Sequence, residues 1–450
     1  MALTQGSPPP ALAGWLIGAL GATQVQVANW RKLSGGAIQE NWAFDAKVRG
    51  GAYAGEIPCV LRTDAPTGVA VSHGRAEEFA ILKAAHGAGV KVPEPLGLCA
   101  DPATLGKPFY VMRRLDGTAL GHVLVNDSKW QGDRARLARD LGAELAKLHT
   151  IAPPRADLEF LKVPAGAPAL ASIAEYRAWL DAYRDPRPAL EFALRWLERH
   201  APPRGSVALC HRDYRTGNFM ADTYGLTGIL DWEFAGWSDP IEDLGWFCAK
   251  CWRFGRWDRE AGGVGARADF LAGYGTAIDA EALRYWEIMA HARWATIALQ
   301  QGERYVGGGE VSLDLALTGR RIAELEFELL SMIAPDAKAE FALPPFPADR
   351  ANAAELLAVA RRALADDLIP HLADSKRLDA MMAANALAIA AREFEASAPP
   401  QIDPAAARAH VAAIRSGTHD RDEGLAGALR ENARARTALA NPKYPGVTSR

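Results

Sequence analysis

The sequence predicts an α+β fold in which a strand-rich N-terminal part precedes a mainly helical remainder. Short apolar runs of β-forming residues lie at residues 25–27, 42–46 and 58–62. From Asp243 to about Ile333 the apolar residues instead recur at helical spacing. Strands and helices that are segregated along the chain in this way are typical of α+β proteins.

Size and composition indicate a globular protein of about two or three domains. The chain has 450 residues, of which 49% are hydrophobic and 23% are charged, as in ordinary globular domains. Its formal net charge of −3 offers no general attraction to nucleic acid or to anionic membranes. We therefore expect neither nucleic acid nor a membrane as a partner.

The apolar runs and the cysteines indicate a cytoplasmic protein. No apolar run approaches the roughly 20 residues that span a bilayer. Residues 11–20 are apolar but lack a preceding basic region, because Arg31 is the first basic residue, so we predict a helix packed on the fold and not a signal peptide. The five cysteines are scattered, as in a reducing compartment.

The most informative stretch reads HRDYRTGN at residues 211–218 and ILDWE at residues 229–233. It places Asn218 five residues after Asp213, and Asp231 thirteen residues further on. Phosphoryl-transfer sites use this spacing: an Asp receives the proton of the attacking hydroxyl, and an Asn and a second Asp hold Mg²⁺. The sequence therefore predicts Asp213 as the catalytic base and Asn218 and Asp231 as metal ligands.

The local pattern around these residues favours loop ends. Residues 207–210 and 226–230 are strand-like, and we predict that they form a hairpin-like unit with the acidic residues at its ends, where functional residues tend to lie. The alternative is that Asp213 and Asp231 cap turns and that His211 is an ordinary core histidine. That alternative explains none of the spacing.

These motifs resemble those of the aminoglycoside phosphotransferase and choline kinase-like enzymes. The sequence DWE at residues 231–233 stands where protein kinases have DFG, and DPIEDLG at residues 239–245 resembles a further segment of the family. Over about residues 25–335, the resemblance implies a bilobal protein-kinase-like fold with an antiparallel-sheet N-lobe and a mainly helical C-lobe. It also implies Mg²⁺-dependent transfer of the γ-phosphoryl group of ATP or GTP to a small-molecule hydroxyl. Because no activation loop is visible, a small acceptor is favoured over a protein.

The nucleotide lobe should precede the catalytic motif. Gly35 and Gly36 lie between two strand-like runs, where backbone N–H groups can approach phosphate oxygens closely, although a plain hairpin is the alternative. Arg62 occupies the position of the phosphate-pairing lysine of kinases. An arginine stays charged and can bind phosphate in a bidentate manner, but its geometry is not equivalent to that of lysine.

The resemblance assigns further nucleotide contacts. In the predicted helix at residues 75–85, Glu78 would pair with Arg62, with Glu77 as the competing residue. Backbone groups near Met112 and Arg113 would contact the base.

We predict three domains: an N-terminal nucleotide-binding lobe at 1–115, a catalytic and acceptor-binding C-lobe at 116–340, and a helical domain at 348–450. The last follows a proline run and carries four helical patterns. It resembles a helical domain of unknown function that is fused to some bacterial phosphotransferases. Homodimerisation through these helices, lid action and docking are all open roles.

The acceptor stays open between several classes. The segments around Gly35 and Arg62 resemble the phosphotransferases associated with acyl-CoA dehydrogenases, which implies a hydroxyacyl-CoA acceptor. An antibiotic or another amino-alcohol is the second candidate. A non-catalytic nucleotide-binding or scaffold protein is the rival class, and Arg62 is the residue that favours it. The charge of the acceptor site would discriminate between a polycationic antibiotic and a CoA ester as acceptor. Polycationic acceptors need carboxylates nearby, whereas CoA phosphates need arginine or lysine.

Overall fold

The computed structural model describes residues 3, 6–33, 39–64, 72–128, 130–203, 205–310, 312–344, 349–363, 377–395 and 403–447. The chain forms two compact units. The N-terminal unit comprises Met1–Ala165 and Gly205–Leu283, and the C-terminal unit comprises Gly166–Arg204 and Arg284–Arg450. The three domain boundaries given above stay predictions.

Strands and helices follow one another along the described residues. They are α1 (Pro10–Leu20), β1 (Gln24–Lys32), β2 (Gln39–Arg49), β3 (Gly55–Asp64), α2 (Arg75–Gly87), β4 (Pro95–Cys99), β5 (Phe109–Arg113), α3 (Gly121–Asn126), α4 (Arg134–Leu148), α5 (Pro168–Ala182), α6 (Pro188–Arg199), β6 (Ala208–Cys210), β7 (Phe219–Asp222), β8 (Gly225–Ile229), β9 (Gly236–Ser238), α7 (Ile241–Cys248), α8 (Arg267–Tyr274), α9 (Ala280–Val306), α10 (Leu313–Gly319), α11 (Ile322–Ile333), α12 (Ala353–Ala363), α13 (Arg377–Glu395), α14 (Pro404–Arg415) and α15 (Glu423–Ala440).

An antiparallel sheet with the order β1-β2-β3-β5-β4 makes up the N-terminal part of the first unit. In β2, Trp42, Phe44, Ala46 and Val48 are buried, because alternate residues of a strand point to the same face. Helix α1 packs on this sheet, where the Trp15 ring meets Phe109 edge-on at 4.8 Å. The predicted α+β class and the packed N-terminal helix are both confirmed.

The catalytic segment is paired differently from our prediction. Strands β6 and β8 do lie at the two predicted positions, 207–210 and 226–230, but they do not pair with each other. Strand β8 pairs with β7, and β6 pairs with β9. The turn between β7 and β8 carries the exposed Tyr224. The predicted hairpin was therefore wrong, because residues 219–222 and 236–238 supply the nearer partner strands.

The C-terminal unit is helical, and all four predicted C-terminal helices are present as α12 to α15. A buried ion cluster lies inside this unit. Asp349 accepts hydrogen bonds from Arg187 at 2.5 Å and from Arg436 at 2.7 Å, and these charges hold the pKa of Asp349 at about 2 against the opposing effect of burial. Among the described residues, we find no helix with the length and hydropathy that a bilayer span requires.

Helices α4 and α8 approach each other closely at Gly142. A Cβ atom there would collide with the carbonyl oxygen of Phe270. Because that oxygen belongs to the backbone of α8, a rotamer change cannot relieve the collision.

We therefore expect Gly142→Ala to lower the free energy of unfolding by about 1–3 kcal/mol, as overpacked substitutions do. Gly18→Ala in α1 is the matched control, since open space surrounds Gly18 and alanine favours a helix by up to about 1 kcal/mol. Urea unfolding of both variants would measure this. Equal stability of the two variants would contradict the close approach of α4 and α8.

Candidate active site

A buried carboxylate holds the catalytic turn. Asp243, in the first turn of α7, accepts hydrogen bonds from the backbone N–H groups of His211 and Arg212, both at 2.7 Å. Its Oδ2 also lies 3.2 Å from Nε2 of His149. Burial alone would raise the pKa of Asp243, but the hydrogen bond and charge of His149 outweigh it and lower that pKa. The turn after β6 is thereby held with Arg212 at a φ of 60°, a conformation that is uncommon outside glycine.

This turn presents the carboxylate of Asp213 to three donors. Asn218 donates from Nδ2 to Oδ2 at 2.6 Å. Arg215 Nε and Trp246 Nε1 each lie 3.1 Å from Oδ1. Such a carboxylate is fixed in orientation and remains an acceptor, which suits a group that receives a proton from a positioned hydroxyl.

Asp231 lies two residues after the end of β8 and has a φ of 68°. The backbone N–H of the preceding Leu230 donates to the carbonyl of Asn218 at 2.8 Å, and His211 Nε2 donates to the Leu230 carbonyl at 2.8 Å. These bonds join the segments of the two predicted metal ligands, Asn218 and Asp231. Burial would raise the pKa of Asp231, but the charges of Arg62 and Arg215 outweigh it and lower that pKa.

Arg62 connects β3 to this site. Its Nη2 donates to Asp231 Oδ1 at 2.5 Å, and its Nε lies 3.0 Å from Glu78 Oε1. Glu77 instead accepts from the backbone N–H of Gly74 at 3.0 Å and caps α2. The pairing left open between the two glutamates therefore falls to Glu78, which is fully buried and also pairs with Arg75.

The other predicted nucleotide contacts are less defined. Gly35 and Gly36 lie outside the described residues. Met112 and Arg113 end β5, and the backbone N–H of Arg113 donates to the Glu94 carbonyl at 2.9 Å. The N–H of Arg114 likewise donates to Pro58. These two N–H groups are therefore already hydrogen-bonded to backbone carbonyls. A contact of Met112 and Arg113 with the base stays a prediction.

Several residues at the site were not predicted. Arg215 and Trp246 orient Asp213, and Asp243 holds the turn. Glu233 accepts a hydrogen bond from Gln39 at 2.5 Å, and burial together with the charge of Asp231 raises its pKa to about 7. The DWE motif contained a signal for Glu233, whereas nothing local in the sequence indicated Trp246.

The donor set fits a hard divalent cation. Asn218 offers a neutral amide oxygen, and Asp231 offers a carboxylate whose lowered pKa keeps it ionised. Oxygen ligands of these two kinds are those that Mg²⁺ takes in proteins.

The fold and the site are those of a kinase-like phosphotransferase. An N-terminal sheet precedes a helical part, and the segments of Asp213, Asn218 and Asp231 are joined by hydrogen bonds. The chain belongs to the phosphotransferase enzyme family, whose model matches residues 29–286. A candidate aminoglycoside phosphotransferase from Ralstonia eutropha has a similar structure, with a TM-score of 0.58, 20% identity, and coverage of 72% of this chain and 97% of that chain. This confirms the predicted kinase-like fold.

Curated relatives include acyl-CoA dehydrogenase family member 10 of Mus musculus, 29% identical over 188 residues, and family member 11 of Gallus gallus, 30% identical over 178 residues. The alignments cover 39% and 38% of this chain but 17% and 22% of the relatives, so the chain spans only a small part of their length. Residues 370–444 match a domain of unknown function, DUF6285.

Glu233 should make stability depend on pH. Folding raises its pKa from an ordinary value of 4.5 to about 7, so the folded chain binds this proton more tightly than the unfolded chain. The resulting stabilisation is fully present below pH 4.5 and is lost as the pH rises through about 7.

Relative to Glu233→Gln, the wild type should therefore lose on the order of 3 kcal/mol of unfolding free energy across this range. Urea unfolding without metal or nucleotide, followed at a series of pH values, would measure it. Parallel pH profiles for the two proteins would contradict the assignment.

Proposed function

We propose that this protein transfers the γ-phosphoryl group of ATP or GTP to the hydroxyl of a small molecule, with Mg²⁺ as cofactor. One observation carries the proposal: an oriented carboxylate, Asp213, lies in the same hydrogen-bonded segment as the ionised Asp231 and Asn218. Phosphoryl transfer asks a protein mainly for positioning and for charge stabilisation, and this arrangement supplies both.

Asp213 is the base in this proposal. The acceptor oxygen forms a bond to the γ-phosphorus while the bond from that phosphorus to the bridging oxygen breaks, and the hydroxyl proton passes to the Asp213 carboxylate. Arg215 and Trp246 hold the Oδ1 atom and Asn218 holds Oδ2. The carboxylate therefore needs little reorganisation as the proton arrives.

Asn218 and Asp231 would hold the metal, which when bound neutralises phosphate charge. Arg62 is held from one side by Glu78 and meets Asp231 on the other. Burial alone would lower the pKa of Arg62, but these two carboxylates raise it well above the ordinary value. The guanidinium is thus permanently charged beside the proposed metal position, where it can pair with a phosphate oxygen.

For the acceptor we propose a hydroxyacyl-CoA. The relatives described above support this choice, since they are acyl-CoA dehydrogenase family members at 29% and 30% identity. An antibiotic or amino-alcohol acceptor is the alternative within the same chemistry. A non-catalytic role is disfavoured because Asp213, Asn218 and Asp231 are all present and joined. We also propose a cytoplasmic protein, supported by the five cysteines that lie scattered along the sequence.

Replacement of the proposed base gives a direct test. Asp213→Ala should lower turnover by about 10²–10⁴, the range for a general base, and should largely keep nucleotide binding. Asp231→Ala should also lose Mg²⁺-dependent nucleotide binding. The measurement is nucleoside diphosphate release from Mg-ATP and Mg-GTP with hydroxyacyl-CoAs, amino-alcohols and aminoglycosides as acceptors.

Asp222→Ala is the matched control. Asp222 lies in the same segment, but its carboxylate accepts from the backbone N–H groups of Tyr224 and Gly225 in the β7–β8 turn. Its loss should affect stability and leave turnover intact. Unchanged turnover in Asp213→Ala would overturn the assignment of the base. Nucleotide binding without acceptor-dependent release in the wild type would favour the non-catalytic alternative.

A further inference from the structure

The segment between α7 and α8 is tied to the catalytic turn at two points. The guanidinium of Arg215 lies over the Trp252 ring at 4.8 Å, and that same arginine donates to Asp213. Further along, the carbonyl of Gly262 accepts a hydrogen bond from Thr216 Oγ1 at 2.6 Å. Residues 249–266 therefore run beside the turn that carries the proposed base.

Two arginines are fixed against adjacent carbonyls of α3. Arg134 Nη1 donates to the Leu124 carbonyl at 2.5 Å, and Arg259 Nη1 donates to the Val125 carbonyl at 3.0 Å. Because these carbonyls belong to neighbouring residues, the two guanidinium groups lie in the same small region of the surface.

A third arginine adds to this charge. Arg256 pairs with Asp258 through two hydrogen bonds at 3.1 and 3.0 Å, and Asp258 lies 4.0 Å from Arg259. Burial and the charges of Arg259 and Arg256 lower the pKa of Arg134, and burial and Arg256 lower that of Arg259. The three guanidinium groups thus repel one another, and a bound anion would relieve that repulsion.

Exposed apolar side chains adjoin these cations. Phe254 is 39% exposed and Leu120 is 58% exposed. Phe254 has a φ of 50°, an outlier for a bulky residue, and its carbonyl accepts a hydrogen bond from Asn126 Nδ2 at 3.1 Å. A Cβ atom at Gly121 would lie 2.7 Å from the Phe254 ring. The fold therefore holds a strained aromatic residue at the surface, as proteins do mainly at functional sites.

We propose that this cationic surface, formed by Leu120, Arg134, Phe254, Arg256 and Arg259, binds the phosphate-bearing part of the acceptor. The inference rests on the proposed function, and it deepens that proposal by stating which chemistry the acceptor carries away from its hydroxyl. Phosphate groups would pair with the guanidinium groups, which match phosphate geometry in a bidentate manner. A planar or apolar portion would pack on Phe254 and Leu120.

Two acceptors that share a hydroxy acid separate the phosphate contribution. One is a hydroxybutyryl-CoA, and the other is the N-acetylcysteamine thioester of the same acid, which keeps the hydroxyl and thioester but has no phosphate. Arg256→Gln and Arg259→Gln should each raise KM for the CoA ester about 3- to 10-fold, and should leave KM for the short thioester unchanged. Asp258→Asn should lower KM for the CoA ester, because it removes the opposing carboxylate.

Arg155→Gln is the matched control. Arg155 and Asp157 form the same local ion pair as Arg256 and Asp258, at 2.8 and 2.6 Å, with side-chain exposures of 37% and 36% for the two arginines. This variant should change KM for neither acceptor. An unchanged KM for the CoA ester in Arg256→Gln and Arg259→Gln would overturn the inference, as would an equal rise for both thioesters.

Calorimetric titration with CoA alone distinguishes the two proposals. In one outcome the wild type phosphorylates neither thioester, while Arg256→Gln binds CoA less tightly than the wild type and Asp258→Asn binds it more tightly. The hydroxybutyryl acceptor is then wrong and the proposed binding surface stands. If Asp213-dependent turnover occurs with acceptors that lack phosphate and CoA does not bind, the proposed reaction stands and the surface is overturned.

Discussion

The site depends on one buried carboxylate, that of Asp243. Burying a charge is costly unless donors replace its water, and here two backbone N–H groups and His149 do so. The same bonds impose the unusual conformation of Arg212 and so determine where Asp213 points. A buried aspartate thereby determines the geometry of the proposed catalytic base.

A second constraint is the line of alternating charges through Glu78, Arg62 and Asp231. The arginine contacts both carboxylates at once with different nitrogens of its planar group, whereas a lysine ammonium is a compact point charge. Arginine at this position is therefore compatible with an organised site. The raised pKa of Glu233 belongs to the same arrangement, because burial and the negative charge of Asp231 both disfavour the ionised form of Glu233.

The C-terminal unit is also organised around buried charge. Asp349 pairs with Arg187, which precedes α6, and with Arg436 in α15. The first arginine lies in the predicted C-lobe and the second in the predicted helical domain. Removing one partner of such a buried pair leaves an uncompensated charge. Helix α15, which lies in the region that matches the domain of unknown function, is therefore linked through Asp349 to Arg187 at the start of α6.

The sequence by itself determined the features that depend on local order. Alternation in β2 and helical spacing in α2 identified those elements, since side-chain direction repeats every two residues in a strand and every 3.6 in a helix. The spacing of Asp213, Asn218 and Asp231 likewise indicated phosphoryl-transfer chemistry before any contact was known. The geometry joins the segments of these residues, although their catalytic roles stay proposals.

Only the tertiary structure decided which distant groups meet. Strand β6 pairs with β9 and not with β8, because short strands carry little register information of their own. Glu78 and not Glu77 reaches Arg62, since adjacent helical residues point about 100° apart and packing selects the inward one. Trp246 reaches Asp213 across 33 residues of chain, and no local pattern encodes such a contact, because a hydrogen bond depends on position in space and not on separation along the chain.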